Sequence, residues 1–213
     1  MAPRKVPQKI SLSDGAYDAL KWRILNLELP VGRLFSIQEL CSIIKLGRAP
    51  VSHAVLRLQE EQLIDVIPRK GIMVKSWSPD SFNRIIEVRR VLEILSAELA
   101  AENATEDQIK RMANVLSRAE EFLVSSDRKE LRKCDQDFHY ALAAMTQNEI
   151  LLDQIKYLHQ LSSSVWFSHV TGPQHFMKAL SDHKQIYEAV KARNPLKAKD
   201  AMTAHMTTVG GPR

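Results

Sequence analysis

SIQELCSIIKLGRAPVSHAVLRLQEEQLIDVIPRKGIMVK, residues 36–75, decides the fold of the N-terminal third of the chain. Ser36 with Glu39 three residues on forms a capping box that opens a helix. Leu40, Ile43 and Ile44 give that helix one apolar stripe, and Cys41 falls in the same helix as an expected core residue. Lys45-Leu46-Gly47 reads as the turn. Pro50 suits the first turn of a second helix, where its missing N–H breaks no hydrogen bond. Val51, Val55 and Leu58 form the core face of that helix. Two strand-like runs follow, Ile64–Ile67 and Ile72–Val74, around a tip of Pro68-Arg69-Lys70-Gly71. Helix, turn, helix and hairpin in this order describe a winged helix-turn-helix, whose second helix enters the DNA major groove.

Working outward, Tyr17, Leu20, Ile24 and Leu27 recur at helical spacing and predict a helix over residues 12–27. Leu29-Pro30-Val31-Gly32 turns the chain into the motif. After the hairpin, Ser76-Trp77-Ser78-Pro79 reads as a linker. The remainder is helical throughout. A first helix over 80–102 carries Ile85, Val88, Leu92, Leu95 and Leu99 as its apolar positions. A second is opened by a Thr105–Gln108 capping box and carries Ile109, Met112, Leu116 and Leu123. Further helices are expected over 128–145, 149–169, 176–192 and 197–208. The fold class is therefore mainly α: a winged helix-turn-helix at 1–75, a linker at 76–79, and an all-helical antiparallel bundle at 80–213.

The 213 residues are 45% hydrophobic and 26% charged, ordinary for a globular protein. The charge of +5 is unevenly placed: residues 1–75 hold 12 Lys and Arg against 7 Asp and Glu, and residues 76–213 hold 18 against 18. The whole basic excess thus lies on the segment read as the DNA module, as contact with phosphate requires. Two cysteines, Cys41 and Cys134, give no pairing pattern, and no apolar run has the length of a membrane span. The N-terminal MAPRKVPQKISLSDG lacks the apolar stretch of a secretory signal. The expectation is a cytoplasmic protein with a basic N-terminal arm and no membrane partner.

Arg48 opens the second motif helix, where side chains reach base edges, and an arginine there can grip guanine O6 and N7 together. Ser52 and His53 lie on the exposed face of that helix. Arg57, one turn on, is expected to face phosphate or solvent. Arg69 and Lys70 at the hairpin tip suit the minor groove or phosphates, and Gly71 permits the tight turn. For each of these, a solvated surface side chain is the plainer alternative.

The helical part carries a second chemical pattern. Asp135 and His139, four apart, share one helix face with Leu131, Phe138 and Leu142. His183 shares a face with Ile186, Tyr187 and Val190, and His205 with Ala198, Ala201 and Met202. Three helices thus aim polar groups at a bundle interior, where an unpaired carboxylate is costly. Three imidazoles and a carboxylate suit a divalent transition metal such as zinc, nickel or manganese. A hydrogen-bonded core histidine is the competing reading of each. His159, His169 and His175 are expected at the surface or in loops.

With these parts in order, the chain resembles the GntR family of bacterial transcription regulators, in the subfamily with an all-helical FCD effector domain. The resemblance rests on LPVGRLFSIQEL (29–40), RAPVSHAVLRLQEEQLI (48–64), PRKGIMV (68–74), VRRVLEILSAELAAE (88–102), DQDFHYALAAMTQN (135–148), HKQIYEAVKARN (183–194) and AMTAH (201–205). It departs from the family pattern before the recognition helix. Gly47-Arg48-Ala49-Pro50-Val51-Ser52 stands where Ser-Arg-Thr-Pro-Val-Arg is usual, and Gln38 replaces an arginine.

A single winged module contacts few phosphates, so a homodimer on palindromic operator DNA is expected. The resemblance implies metal binding by Asp135, His139, His183 and His205. It also implies a small-molecule effector that fills open metal positions. A carboxylate is expected, with Arg89, at the border of the apolar face of its helix, as its charge partner; a salt bridge from Arg89 to Glu87 or Glu93 is the competing reading. Ser162, Ser163, Ser164 and Trp166 are expected near that pocket. Repression is the expected sense of regulation. Two other readings compete: a metal-dependent enzyme on the helical domain, and a constitutive DNA-binding protein with a structural metal. Neither a nucleophile elbow nor a phosphate loop supports the enzyme.

Overall fold

The computed structural model describes residues 11–26, 28–76, 78–169 and 172–209, with the backbone alone for 164–169. These residues form two compact units that divide after Ser76.

The first unit runs α1 (Leu12–Leu25), β1 (Leu34–Phe35), α2 (Ile37–Ile44), α3 (Arg48–Glu60), β2 (Ile64–Ile67) and β3 (Gly71–Val74). Ser11 caps α1, its side chain accepting from the Asp14 amide. Leu27, expected to extend α1, lies outside the described residues. The Ser36–Glu39 capping box is formed in both directions: Ser36 Oγ accepts from the Glu39 amide, and Glu39 Oε2 accepts from the Ser36 amide. Lys45 ends α2 in the left-handed conformation, at φ 56°. Leu20 and Ile24 of α1, Phe35, Leu40, Val55, Leu58, Ile64, Ile72 and Val74 are buried together. The buried stripe of α2 is Leu40 and Cys41 rather than the expected Leu40–Ile43–Ile44, and Ile43 is exposed. On a helix of only eight residues a single packing direction decides the face, and three apolar residues within one turn leave it ambiguous.

The hairpin has a third strand that the sequence did not suggest. β1 pairs antiparallel with β3, giving the order β1-β3-β2 with Phe35 opposite Ile72. A two-residue strand carries no readable alternation. Its pairing explains Gly71, which sits at φ +135°. A Cβ at this position would stand 2.6 Å from the carbonyl oxygen of Phe35. Both the φ and the close approach demand glycine. Gly71→Ala is expected to weaken the β1–β3 edge by about 1–3 kcal/mol. The check is amide hydrogen exchange, accelerated at Phe35 and Ile72 but unchanged along α1. Unaltered protection would mean that the strand shifts aside without strain.

The second unit is six helices: α4 (Pro79–Asn103), α5 (Glu106–Ser125), α6 (Arg128–Met145), α7 (Glu149–His169), α8 (Pro173–Lys191) and α9 (Pro195–Val209). The Thr105–Gln108 box opens α5 as the sequence suggests. Helix α4 packs on α6, α7, α8 and α9, and α5 closes over α6 and α8. Met112, Phe138, Leu142, Met145, Ile186, Met202 and Met206 form a fully buried centre. Alanines 97, 100 and 101 on α4 and Ala198 on α9 are fully buried, and such small side chains let helices approach closely.

The expected apolar face of α4 needs correction in part. Ile85 is buried, and Leu92 and Leu99 pack half-buried on Ala143, Leu151 and Ile155. But Val88 and Leu95 are exposed, at 53% and 41%, as is Val91, while Arg89, Glu93 and Ser96 are buried with Ile86 and the alanines. The helix turns its polar residues inward because they find polar partners there. Among the described residues, no helix is long and apolar enough to cross a membrane.

Candidate metal centre and nucleic-acid interface

Helices α6, α8 and α9 bring His139, His183 and His205 together, each at most 4% exposed. One ring nitrogen from each lies within 4.8 Å of the others. Asp135, one turn before His139, places Oδ1 at 3.9 Å from His139 Nε2 and 3.8 Å from His183 Nε2. Four ligands around a zinc-sized ion sit about 3.4 Å apart, for bonds of ~2.1 Å. The donors here stand wider, with Asp135 near His139 and His183 but not grouped with His205, so they would draw inward on an ion. Phe138 stacks on the His183 ring, with centroids 3.9 Å apart and planes at 13°, and so sets its orientation.

The donor set fits a metal on its own chemistry. Nε2 of His183 and Nε2 of His205 are buried without a hydrogen-bond partner among the described residues. A buried polar atom left so is unfavourable unless something else satisfies it, and a cation does. Burial and the neighbouring histidines push His183 well below the usual imidazole range, and burial lowers His205. Both are therefore neutral near pH 7, which ligation requires. Burial by itself would raise the Asp135 carboxyl, but its hydrogen bond from His159 and the surrounding imidazoles hold it far below the carboxylate range.

Two carboxylates stand behind the histidines. Glu93 on α4, fully buried, places Oε1 at 3.0 Å from His139 Nδ1, and Asp182 places Oδ2 at 3.6 Å from His205 Nδ1. Burial disfavours the charge of Glu93, yet His139 and Arg89 outweigh it and hold the carboxyl down at about 2. Neither contact is a formed hydrogen bond, but negative charge behind an imidazole strengthens its hold on a cation.

Arg89 does not border the bundle but lies inside it, 3% exposed. Its Nε donates to Glu93 Oε1 at 3.0 Å and its Nη1 to Ser162 Oγ at 3.2 Å. Ser162 and Ser163 are buried, while the side chains of Ser164, Trp166 and His169 fall outside the described residues. His175 is exposed, as expected. His159 is not: it is fully buried on α7 and bonded to Asp135.

Sequence reasoning missed His159 and Asp182, and held Glu93 only as an alternative ion-pair partner of Arg89, the pair that forms. The inward direction of Glu93 and His159 was legible in principle. Glu93 stands between Ile86 and Ala97, and His159 continues the stripe of Leu151 and Ile155. Asp182 gave no such signal, because its neighbour His183 drew the reading to another face.

Three histidines with lowered pKa values make the metal-free bundle acid-sensitive. The unfolded chain takes up their protons near pH 6.5, and the folded chain only lower, at about 4 for His159. Their contribution is complete above pH 6.5 and falls as the pH drops toward 4. The slope is up to about 1.4 kcal/mol per pH unit for each histidine still neutral in the fold. Urea unfolding at pH 7.5, 6.0 and 5.0 in the presence of a chelator should show the decline. A flat profile would mean that the rings protonate without unfolding.

In the first unit, Arg48 occupies the first position of α3 and is exposed, as are His53, Arg69 and Lys70. Ser52 and Gly71 are half-buried. Gln38 on α2 is exposed. Arg57 is neither free nor simply solvated. Its Nη1 pairs with Asp14 at 2.8 Å and its guanidinium lies over the Tyr17 ring at 3.8 Å, tying α3 to α1. Such surface interactions are weak in solvent and leave Arg57 able to exchange partners.

A winged helix-turn-helix followed by a helical bundle with a polar centre defines a class of bacterial DNA-binding transcription regulators. Residues 12–74 match the bacterial regulatory proteins of the gntR family, and residues 84–208 match the FCD domain, so the chain belongs to the GntR family with an FCD domain.

The HTH-type transcriptional regulator LutR of Bacillus subtilis is 30% identical over 210 residues, spanning 87% of this chain and 94% of its own length. The HTH-type transcriptional repressor RspR of Escherichia coli is 25% identical, spanning 91% of this chain and 85% of its own. Among solved structures, McbR/YncC of E. coli superposes with a TM-score of 0.84 at 19% identity, over 94% of this chain and 95% of that one, a likeness of fold. The chain is a transcription regulator and not an enzyme. Some FCD domains bind metal, and the Asp/His cluster described above is where this one would do so.

Proposed function

We propose that the chain is a ligand-responsive repressor that binds palindromic operator DNA as a homodimer in the cytoplasm, with a metal-assisted sensor for a small carboxylate. The observation that carries the sensor is the buried group of three imidazoles, two of them held neutral by burial, and one ionised carboxylate, with unpartnered ring nitrogens, at the centre of the helical unit. Asp135, His139, His183 and His205 would hold zinc, nickel or manganese. The ion supplies a Lewis-acidic centre with positions left open for carboxylate oxygens.

Residues 1–75 would read the DNA through Arg48, Ser52, His53, Arg57, Arg69, Lys70 and Gly71. Residues 80–213 would sense the effector, with 76–79 as the linker. Repression is favoured by the relative RspR, whose name describes it as a repressor. Arg89 would lend positive potential to a bound carboxylate while remaining paired with Glu93. Removing it outright would strand a buried carboxylate, at about 3–5 kcal/mol. Arg89→Lys is therefore the informative change.

A single winged module makes few phosphate contacts, and a twofold pair doubles them. The exposed Val88, Val91 and Leu95 stripe on α4 is the face we assign to the second copy. Light scattering should give twice the chain mass, and Val91→Glu should give monomers with weakened operator binding. A monomeric wild type, with and without operator, would overturn the dimer. For the sensor, calorimetry should show a small carboxylate such as lactate or citrate binding to the zinc-loaded chain and not to the chelator-treated one. Equal binding to both would remove the metal from sensing.

A further inference from the structure

The carboxylate of Asp135 is divided between two neighbourhoods. Oδ1 faces the imidazoles, 3.8 Å from His183 Nε2 and 3.9 Å from His139 Nε2. Oδ2 faces the other way, 3.1 Å from Nε2 of His159. That histidine enters from α7, a helix that supplies none of the four ligands assigned above. It is fully buried, with its ring 5.1 Å from that of His139 and 5.6 Å from that of Tyr140. An ionised carboxylate cannot donate, so the proton in this bond belongs to His159 Nε2, and Nδ1 is the bare nitrogen.

His159 could instead be a ligand, since its ring, Asp135 and His139 also lie within 4.8 Å of one another. Yet no such grouping joins it to His183 or His205 among the described residues. Ligand atoms on one ion are at most about 4.2 Å apart, across an octahedron with bonds of ~2.1 Å. Asp135 Oδ1 lies within that span of both His139 Nε2, at 3.9 Å, and His183 Nε2, at 3.8 Å, whereas His159 is joined only to Asp135 and His139, and its Nε2 is already taken up by Oδ2.

We infer that His159 is a positioning residue of the metal centre: by donating to Oδ2 it leaves Asp135 only Oδ1 as a ligating oxygen. The consequence is a lower coordination number from the protein. Three nitrogens and one oxygen fill four positions, and a carboxylate free to turn would chelate through both oxygens and take a fifth. His159 thereby keeps open a position that an external oxygen ligand needs. The inference rests on the metal reading proposed above, and it concerns a residue on a different helix.

The test uses the full chain with zinc and cobalt(II) alone. Zinc affinity is measured by competition with a chromophoric chelator, and the visible absorption of the cobalt form reports coordination number. His159→Phe keeps a ring in the space and removes the donor; His159→Gln restores an amide donor. Loss of an outer-shell partner of this kind lowers affinity by about 10–100-fold. His159→Phe should show that loss, together with weaker cobalt absorption as the coordination number rises. His159→Gln should recover most of both.

Wild-type affinity and an unchanged cobalt spectrum in His159→Phe would overturn the inference while leaving the metal site standing. Equal loss in Phe and Gln variants would also overturn it, because the donor would then be irrelevant. Failure of the wild-type chain to bind either ion would instead remove the metal reading itself.

Discussion

His183→Ala is expected to abolish metal binding by the helical unit. Wild-type protein purified without chelators should carry close to one divalent ion per chain, and the variant almost none. Zinc at 100 times its dissociation constant should stabilise the wild-type bundle by about 2.7 kcal/mol. For a unit of this size that raises the melting temperature by about 5–10 °C. The metal-free variant will itself melt lower, because the ring stacked on Phe138 is gone and a cavity remains. The decisive readout is therefore the difference with and without zinc, which should vanish in the variant. The winged module has its own core and should keep its fold. A wild-type chain with no bound metal and no thermal shift on zinc, nickel or manganese would refute the site, and Asp135 would then be held by His159 alone.

The second large effect is expected at the DNA. Arg48→Ala removes an exposed cation from the first turn of α3, where a bidentate contact to guanine is worth about 1–3 kcal/mol. A dimer loses it twice, so operator affinity should fall by about 2–6 kcal/mol, with relaxed preference at the contacted base pair. Lys70→Ala at the hairpin tip should act differently. It should weaken specific and random DNA nearly equally and lower the salt dependence by about one ion per half-site. Mobility-shift titrations on operator and scrambled duplexes at two salt concentrations separate the two. Unchanged curves for both variants would mean that another face of the module meets the DNA.

How far the sequence carried these sites depends on the kind of signal each residue gave. The capping boxes at Ser36 and Thr105 were readable because both partners lie within one turn and the motif is local. The pair Asp135–His139 was readable because four-residue spacing places both on one face whatever the surroundings. His183 and His205 each share a stripe with apolar neighbours, so an inward direction followed from periodicity. That all three histidines meet at one point did not follow from spacing, and came only with the resemblance. Charge placement was equally direct, since the basic excess of residues 1–75 is a matter of counting.

Other features belonged to packing. Helix α4 offered two faces: one rich in Val and Leu, the other holding Arg89, Glu93 and Ser96. Hydrophobicity favours the first, yet the fold buries the second fully and leaves Val88, Val91 and Leu95 of the first exposed, with only Leu92 and Leu99 half-buried. The reason is pairwise: Arg89 and Glu93 neutralise each other at 3.0 Å, and Glu93 also meets His139, so their burial is tolerable only in company that lies far off in sequence. His159 is the same case, an apparent surface histidine made internal by its bond to Asp135 24 residues away. The strand β1, two residues long, exists only because β3 is beside it. Sequence by itself thus determined the elements, their order, the basic half and the ligand types, since those depend on local spacing and composition. Tertiary structure alone decided which buried charges are paired, which face of α4 is inward, and how Asp135 is turned, because each depends on atoms brought together from distant helices.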